Sequence, residues 1–323
     1  MTISEAATPT QATAVVSKSP MRLAMERFRS DRRTMISFWV IVVFAVLTIL
    51  APIVNHTGLI DVYHFHQDLL EPDTLPKGAL SGVSWKHPLG VEPGSGRDLL
   101  ARVWVGLAVS VFIALAASLL SMIIGTSLGI WAGMRGGFVD GFVGRLADLI
   151  LSFPQQLMLL AMSGMALVFI RDQLHIKAAD AGAAFYVIVV MAIFGWPGVA
   201  RLVRGQVLSI REREFVDAAV VLGASRRRIY FKEVLPNLWT LLLVQFTLIL
   251  PAYISTEAAL SFMGVSVKPP TPTLGNVLND TLNYSSVDFF YFLVPGATIA
   301  ILVICFNLLG DGLRDALDPK NNR

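Results

Sequence analysis

Six long apolar runs separated by polar stretches divide the chain: Ile36–Val54, Val103–Trp131, Leu149–Ile170, Ala183–Val199, Leu238–Phe262 and Phe289–Leu309. The first is 19 residues long, near the ~20 that a helix needs to span the hydrocarbon core and above the ~7–15 of a signal-peptide core. It is expected to be an uncleaved anchor. No water satisfies backbone polar groups inside a bilayer, so every run is expected to be helical. The fourth run is short, and Pro197 is expected to break it near the membrane face. Pro251 is expected to kink the fifth. The second run is rich in small residues (Gly106, Ala108, Ala114, Ala116, Ala117, Gly125, Gly129), which suits close helix–helix packing.

Charge gives the orientation. With the N-terminus inside, the cytoplasmic segments hold 19 of the 26 Lys and Arg and the outer segments only seven. The excess of basic residues marks the cytoplasmic face, so both termini are inside. The expected organisation is a cytoplasmic tail over 1–35, an anchor over 36–54, and an extracytoplasmic loop over 55–102. A five-helix core follows over 103–310, with a cytoplasmic loop at 201–236, and a second tail at 311–323. Residues 1 to about 20, rich in Ala, Thr, Ser and Pro, are expected to lack order, and Met21–Arg33 to form a basic interfacial helix. Reporter fusions test the topology. Those after Pro236 and Leu309 should behave as cytoplasmic, those near Pro72 and Pro270 as extracytoplasmic. An extracytoplasmic signal after Pro236 would overturn the orientation.

Composition agrees: 54% hydrophobic, 15% charged, mean hydropathy +0.64, against about 25% charged residues in soluble domains. The pI near 9.1 does not imply nucleic acid, because the positive charge lies between apolar runs. Cys305 is the single cysteine and lies in an apolar run, so neither a disulfide framework nor a thiolate metal site is available within the chain. His64 and His66 form an H-x-H pair without an accompanying ligand constellation and read as an exposed loop. No G-x-x-x-x-G-K-[ST] loop, H-E-x-x-H or G-x-S-x-G occurs, so the usual ATPase and hydrolase signatures are missing.

Charges inside a bilayer are costly and usually functional. Glu257 is the one clear candidate within a run. Asp148 and Arg201 stand at run ends, where snorkelling to the interface accounts for them.

The polar stretch Arg201–Pro236 carries eight Lys and Arg. Phe215–Leu222 reads as a short amphipathic helix whose Ala218 and Ala219 admit a close neighbour. Gly223 is placed to end it with φ > 0, and Pro236 to sit in the first turn of the next helix. This spacing resembles the EAA loop of ABC-transporter permeases. Asp217 stands for the usual Glu, and Glu233 for an Ile common in the wider family. Three further stretches, HPLGVEPGSGRDLLARVWVGLAVSV (87–111), Trp196–Leu235, which adds WPGVARLVRGQVLSIREREFVDAA to the coupling motif, and EAALSFMGVSVKPPTPTLGNVL (257–278) with FNLLGDGLRDALDPK (306–320), resemble DppC/OppC-type permeases of dipeptide, oligopeptide and nickel importers. The first departs by a longer Gly94-Ser95-Gly96 turn.

The resemblance implies an all-α integral membrane protein with six transmembrane helices, both termini inside, and a type I importer permease core. It implies a second homologous permease, two ABC ATPase domains that bind ATP and Mg, and an extracytoplasmic substrate-binding protein. This chain then holds no cofactor of its own and is not itself an enzyme. The coupling positions carried over are Phe215, Asp217, Ala218, Ala219, Gly223, Ala224, Ser225, Arg226, Leu235 and Pro236. Glu257 either lines the path near its outer mouth, meeting a cationic peptide amine, or is a structural helix-end residue satisfied by nearby backbone or by a partner subunit. The competing class is a self-powered secondary carrier or channel, in which the basic loop is only a topology signal.

Overall fold

The computed structural model describes residues 20–58, 60–176 and 178–317. The ends of the two tails, Leu59 and Lys177 lie outside them. Among the described residues the chain is built of helices and connecting loops. Helix α1 (Pro20–Ser30) leads into α2 (Arg32–His56), α3 (Leu99–Arg135), α4 (Gly137–Leu151), α5 (Gln155–Gln173) and α6 (Ala179–Ile210). Helix α7 (Glu214–Val221) precedes α8 (Arg226–Arg228), which continues through a π-helical turn (Ile229–Val234) into α9 (Leu235–Asn237) and α10 (Trp239–Phe262). Helices α11 (Leu274–Asp280) and α12 (Phe289–Leu317) complete the fold.

Local chemistry sets the helix starts. Asp31 caps α2, its carboxylate accepting from the Arg33 and Thr34 amides at 3.2 Å, and Asp98 caps α3 by accepting from the Ala101 amide at 2.7 Å. Such caps satisfy amides that have no partner inside the helix. At 37 residues and ~1.5 Å per residue, α3 exceeds the hydrocarbon thickness at both ends. Among the described residues five helices are long and apolar enough to span, and α4 with α5, taken as one bent segment, brings the number to six.

Helices α3 and α6 form the centre. Gly125, Gly129 and Gly133 recur every fourth residue and so share one face. A methyl group on Gly129 would stand 2.7 Å from the Ala200 carbonyl oxygen, one on Gly125 2.5 Å from Val199 Cβ, and one on Gly133 2.8 Å from Val207. The valines of α6 seat directly against the glycine face of α3, the close packing that small residues permit in membranes. Tyr253 of α10 closes the group: its hydroxyl donates to the Met191 carbonyl at 3.0 Å and lies 2.7 Å from Ser121 Oγ. Helix α2 is peripheral. It rests on α3, where Trp104 donates to the Leu47 carbonyl at 2.7 Å, and on α12, where Thr34 fills the space above Gly312.

Two expectations about the apolar runs need correction. The apolar run Leu149–Ile170 is not one helix: α4 ends at Leu151, Ser152–Pro154 break it, and α5 leaves at 81°. Pro197 does not break α6, which runs unbroken through it to Ile210. Both prolines lack an N–H and crowd the preceding turn. Pro154 is exposed, with nothing holding the chain straight. Pro197 is buried between Trp196 and Val199, and packing against α3 keeps the helix continuous. Consequently Arg201–Ile210, expected as loop, is the last stretch of α6.

On the extracytoplasmic side the segment after α10 folds back. Thr273 and Asn276 form a capping box at α11, Ser110 of α3 accepts from the Leu274 amide at 3.1 Å, and Gly106 lies against the Thr273–Leu274 backbone. A buried ionic group joins the preceding loop to this cap. Arg97 donates to Glu92 Oε2 at 2.8 Å, and Arg102, fully buried, meets Glu92 Oε1 at 2.5 Å and Asp280 Oδ2 at 3.1 Å. The Arg102–Glu92 contact is one of charge rather than of an aimed N–H, since Glu92 Oε1 and Arg102 Nε and Nη1 make no directional hydrogen bond. Burial pushes the Asp280 carboxyl up, opposed by the two arginines.

Candidate coupling surface

Helix α6 leaves the membrane with one face buried along Val199, Val203, Val207 and Ile210, and that face carries the polar stretch. The turn after it is held to α3, where Arg211 Nη1 donates to the Gly133 carbonyl at 3.0 Å. Ion pairs Arg204–Asp140 and Arg201–Asp148 tie α6 to α4. Asp148 and Arg201, read from sequence as separate interfacial charges, are partners.

Helix α7 spans Glu214–Val221, one residue earlier than expected. Its inner residue Val216 is 2% exposed and joins Ile229, Val234 and Leu238 in a cluster against the ends of α3 and α6. Its outer residues face solvent: Asp217 and Ala218 are exposed, as are Val220, Val221 and Leu222, the last two at 86%. Three adjacent apolar side chains at a solvent-facing helix end make a patch of the sort that marks a contact surface.

The helix ends in a Schellman motif. Gly223 has φ 76, its amide donates to the Val220 carbonyl at 2.9 Å, and the Ala224 amide donates to the Ala219 carbonyl at 3.0 Å, the reciprocal pair of that motif. Ser225 then caps α8, accepting from the Arg228 amide at 3.4 Å. Of the remaining candidates, Phe215 is 37% exposed and Arg226 and Pro236 are exposed. Ala219, Ala224 and Leu235 are half-buried against the cluster. Pro236 stands in the first turn of α9. The candidates thus form one surface with a packed inner side and an exposed outer side.

Glu257 is elsewhere. It is fully buried, with Oε1 accepting from Ser266 Oγ at 3.1 Å and Oε2 unpartnered. It lies on α10 beneath the outer cap, before the helix ends at Phe262. His64 and His66 are joined by His87, with successive ring centroids 4.6 and 4.8 Å apart, and His87 Nδ1 lies 2.6 Å from Asp98. Even so, no group of three His, Cys, Asp or Glu among the described residues is arranged to hold a metal. Sequence reasoning missed the Glu92–Arg97–Arg102–Asp280 group. The only signal it offered was the even spacing of Glu92, Arg97 and Arg102.

Comparison with known proteins places these observations in context. Residues 125–323 match the profile of a family described as the inner membrane component of binding-protein-dependent transport systems, and residues 19–72 match the N-terminal TM domain of oligopeptide transport permease C. The chain is 36% identical to the oligopeptide transport system permease protein OppC of Bacillus subtilis, covering 94% of this chain and 92% of that protein. It is 32% identical to the dipeptide transport system permease protein DppC of Haemophilus influenzae, covering 94% and 96%. A glutathione transport system permease protein, GsiD of Pectobacterium atrosepticum, is 36% identical over 74% of each chain. Among solved structures, an inward-facing form of the MetNI methionine ABC transporter superposes with a TM-score of 0.51 at 20% identity, over 68% of this chain and 96% of that one. That likeness concerns the fold.

Proposed function

The chain belongs to the family of binding-protein-dependent transport system inner membrane components, and we propose that it works as one of two permeases through which di- and oligopeptides or similar small solutes are imported. It is a multi-pass permease subunit of the cytoplasmic membrane. Its cargo reading rests on relatives named for oligopeptides, dipeptides and glutathione. The partners are a second homologous permease, two ATPase domains that bind ATP and Mg, and an extracytoplasmic binding protein that delivers substrate.

The observation that carries the mechanism is the two-sided form of α7. Its inner residue, Val216, is locked into the cluster at the base of α3 and α6, while Asp217, Ala218 and Val220–Leu222 are left exposed. A push on the exposed side is delivered to a packed element rather than absorbed by a loop. Close packing passes such a displacement on between discrete arrangements. The ATPase subunits supply the push: ATP binding favours one packing of α6 and α10 over the other, and the free-energy difference between the two states of the ATPases shifts the population. Arg211, Arg204 and Arg201 join the moving base of α6 to α3 and α4, so the broken crossing α4–α5 moves with it.

The test is biochemical. The purified chain alone is expected to hydrolyse no ATP, the assembled complex to hydrolyse it, and substrate-loaded binding protein to raise the rate. Mass-spectrometric identification of the ligand carried by the cognate binding protein is expected to return short peptides. ATPase activity from this chain free of partners would overturn the reading.

A further inference from the structure

A groove of about 540 Å³ opens between α3 and the stretch from the π-helical turn into α10, within the ~300–1,000 Å³ usual for ligand sites. Leu119, Ile123 and Ile130 line one wall, and Phe231, Trp239 and Leu243 the other. It lies toward the cytoplasmic ends of both elements, within the membrane-crossing part of α3 and the first turns of α10. We propose that this groove holds an acyl chain of an anionic phospholipid, with the lipid phosphate held by Arg135, Arg227 and Arg228.

The register of the walls carries the argument. Lining residues Phe231, Leu235, Trp239 and Leu243 recur every fourth position, and one turn further toward the cytoplasm come Arg227 and Arg228. On α3 the lining residues Leu119, Ile123 and Ser127 recur in the same way, and two further steps pass Trp131 and reach Arg135. All three arginines are exposed, and no ion pair among the described residues occupies any of them. Both walls therefore run from apolar side chains, past a partly exposed tryptophan (Trp131 at 37%, Trp239 at 61%), to unpaired positive charge. Tryptophan and arginine in that order are what a protein presents at a membrane–water interface, and basic clusters on the cytoplasmic side attract anionic headgroups. A transported peptide would not need the arginine rim, and a helix of the second permease would leave three arginines without counter-charge.

The experiment uses the complete transporter in phosphatidylethanolamine vesicles doped with dibrominated phosphatidylglycerol or dibrominated phosphatidylcholine. Bromine quenches tryptophan on contact, and the Trp239 signal is the difference between wild type and Trp239→Phe. The glycerol lipid is expected to reach half-quenching at an about 125-fold lower mole fraction than the choline lipid, from about fivefold for each of the three arginines. Arg135→Gln, Arg227→Gln and Arg228→Gln together are expected to abolish that preference while leaving Trp239 in contact with lipid. Equal quenching by the two lipids in wild type would overturn the proposal. So would a preference that survives the arginine substitutions, or quenching relieved by transported peptide. Absence of quenching together with disulfide crosslinking of Leu243→Cys to the second permease would show the groove filled by protein, with the same consequence.

Discussion

Gly223→Val and Ala218→Trp are expected to cut transport at least about fivefold in the assembled transporter while leaving membrane insertion intact. At Gly223 the cause is the backbone. Its φ of 76 lies in the left-handed region, which costs an L-residue about 1–2 kcal/mol and a β-branched one more. A methyl group there would meet nothing within 4 Å in this chain, so the penalty comes from conformation rather than from a clash. It falls on the Schellman motif that sets the position of Val220–Leu222. Such a cost is slight for six crossings but equals about a 5- to 30-fold change in a docking equilibrium that must break and reform in each cycle. Ala218 is exposed, so Trp there burdens only a partner surface. Asp217→Glu should be mild, because charge is kept; Asp217→Lys should not be. Uptake and ATPase activity in the reconstituted complex, with expression level as control, make the measurement. Wild-type transport in both Gly223→Val and Ala218→Trp would reduce Phe215–Ser225 to an ordinary basic loop.

Arg102→Met is expected to destabilise the extracytoplasmic cap by about 3 kcal/mol, the lower end for breaking a buried ion pair. Glu92, 1% exposed, keeps Arg97 on Oε2 but loses the neutralising charge beside Oε1. Combining Glu92→Gln with Arg102→Met removes the uncompensated charge and should recover more than half of the loss. The thermal unfolding of the detergent-solubilised chain, taken as a double-mutant cycle, reads both results. A double variant no better than the sum of the singles would mean that Arg102 acts through packing alone.

What the amino-acid sequence determined without help was whatever local pattern and bulk solvent impose. Uninterrupted apolar runs insert because exposed backbone is intolerable in lipid, and the surplus of basic loops orients them. The end of α7 was legible because a glycine between Leu222 and Ala224 is the cheap way to reach φ > 0. The tertiary structure alone decided which proline breaks a helix: Pro154 and Pro197 are chemically alike, and only packing on α3 keeps the second straight. It alone paired Arg201 with Asp148, Arg204 with Asp140 and Arg102 with Asp280, residues 53, 64 and 178 positions apart. It also buried Glu257 beside Ser266. Pairing at such separations leaves no periodic trace in the chain, because its free energy comes from removing both charges from water at one place, and that place exists only once the helices have packed.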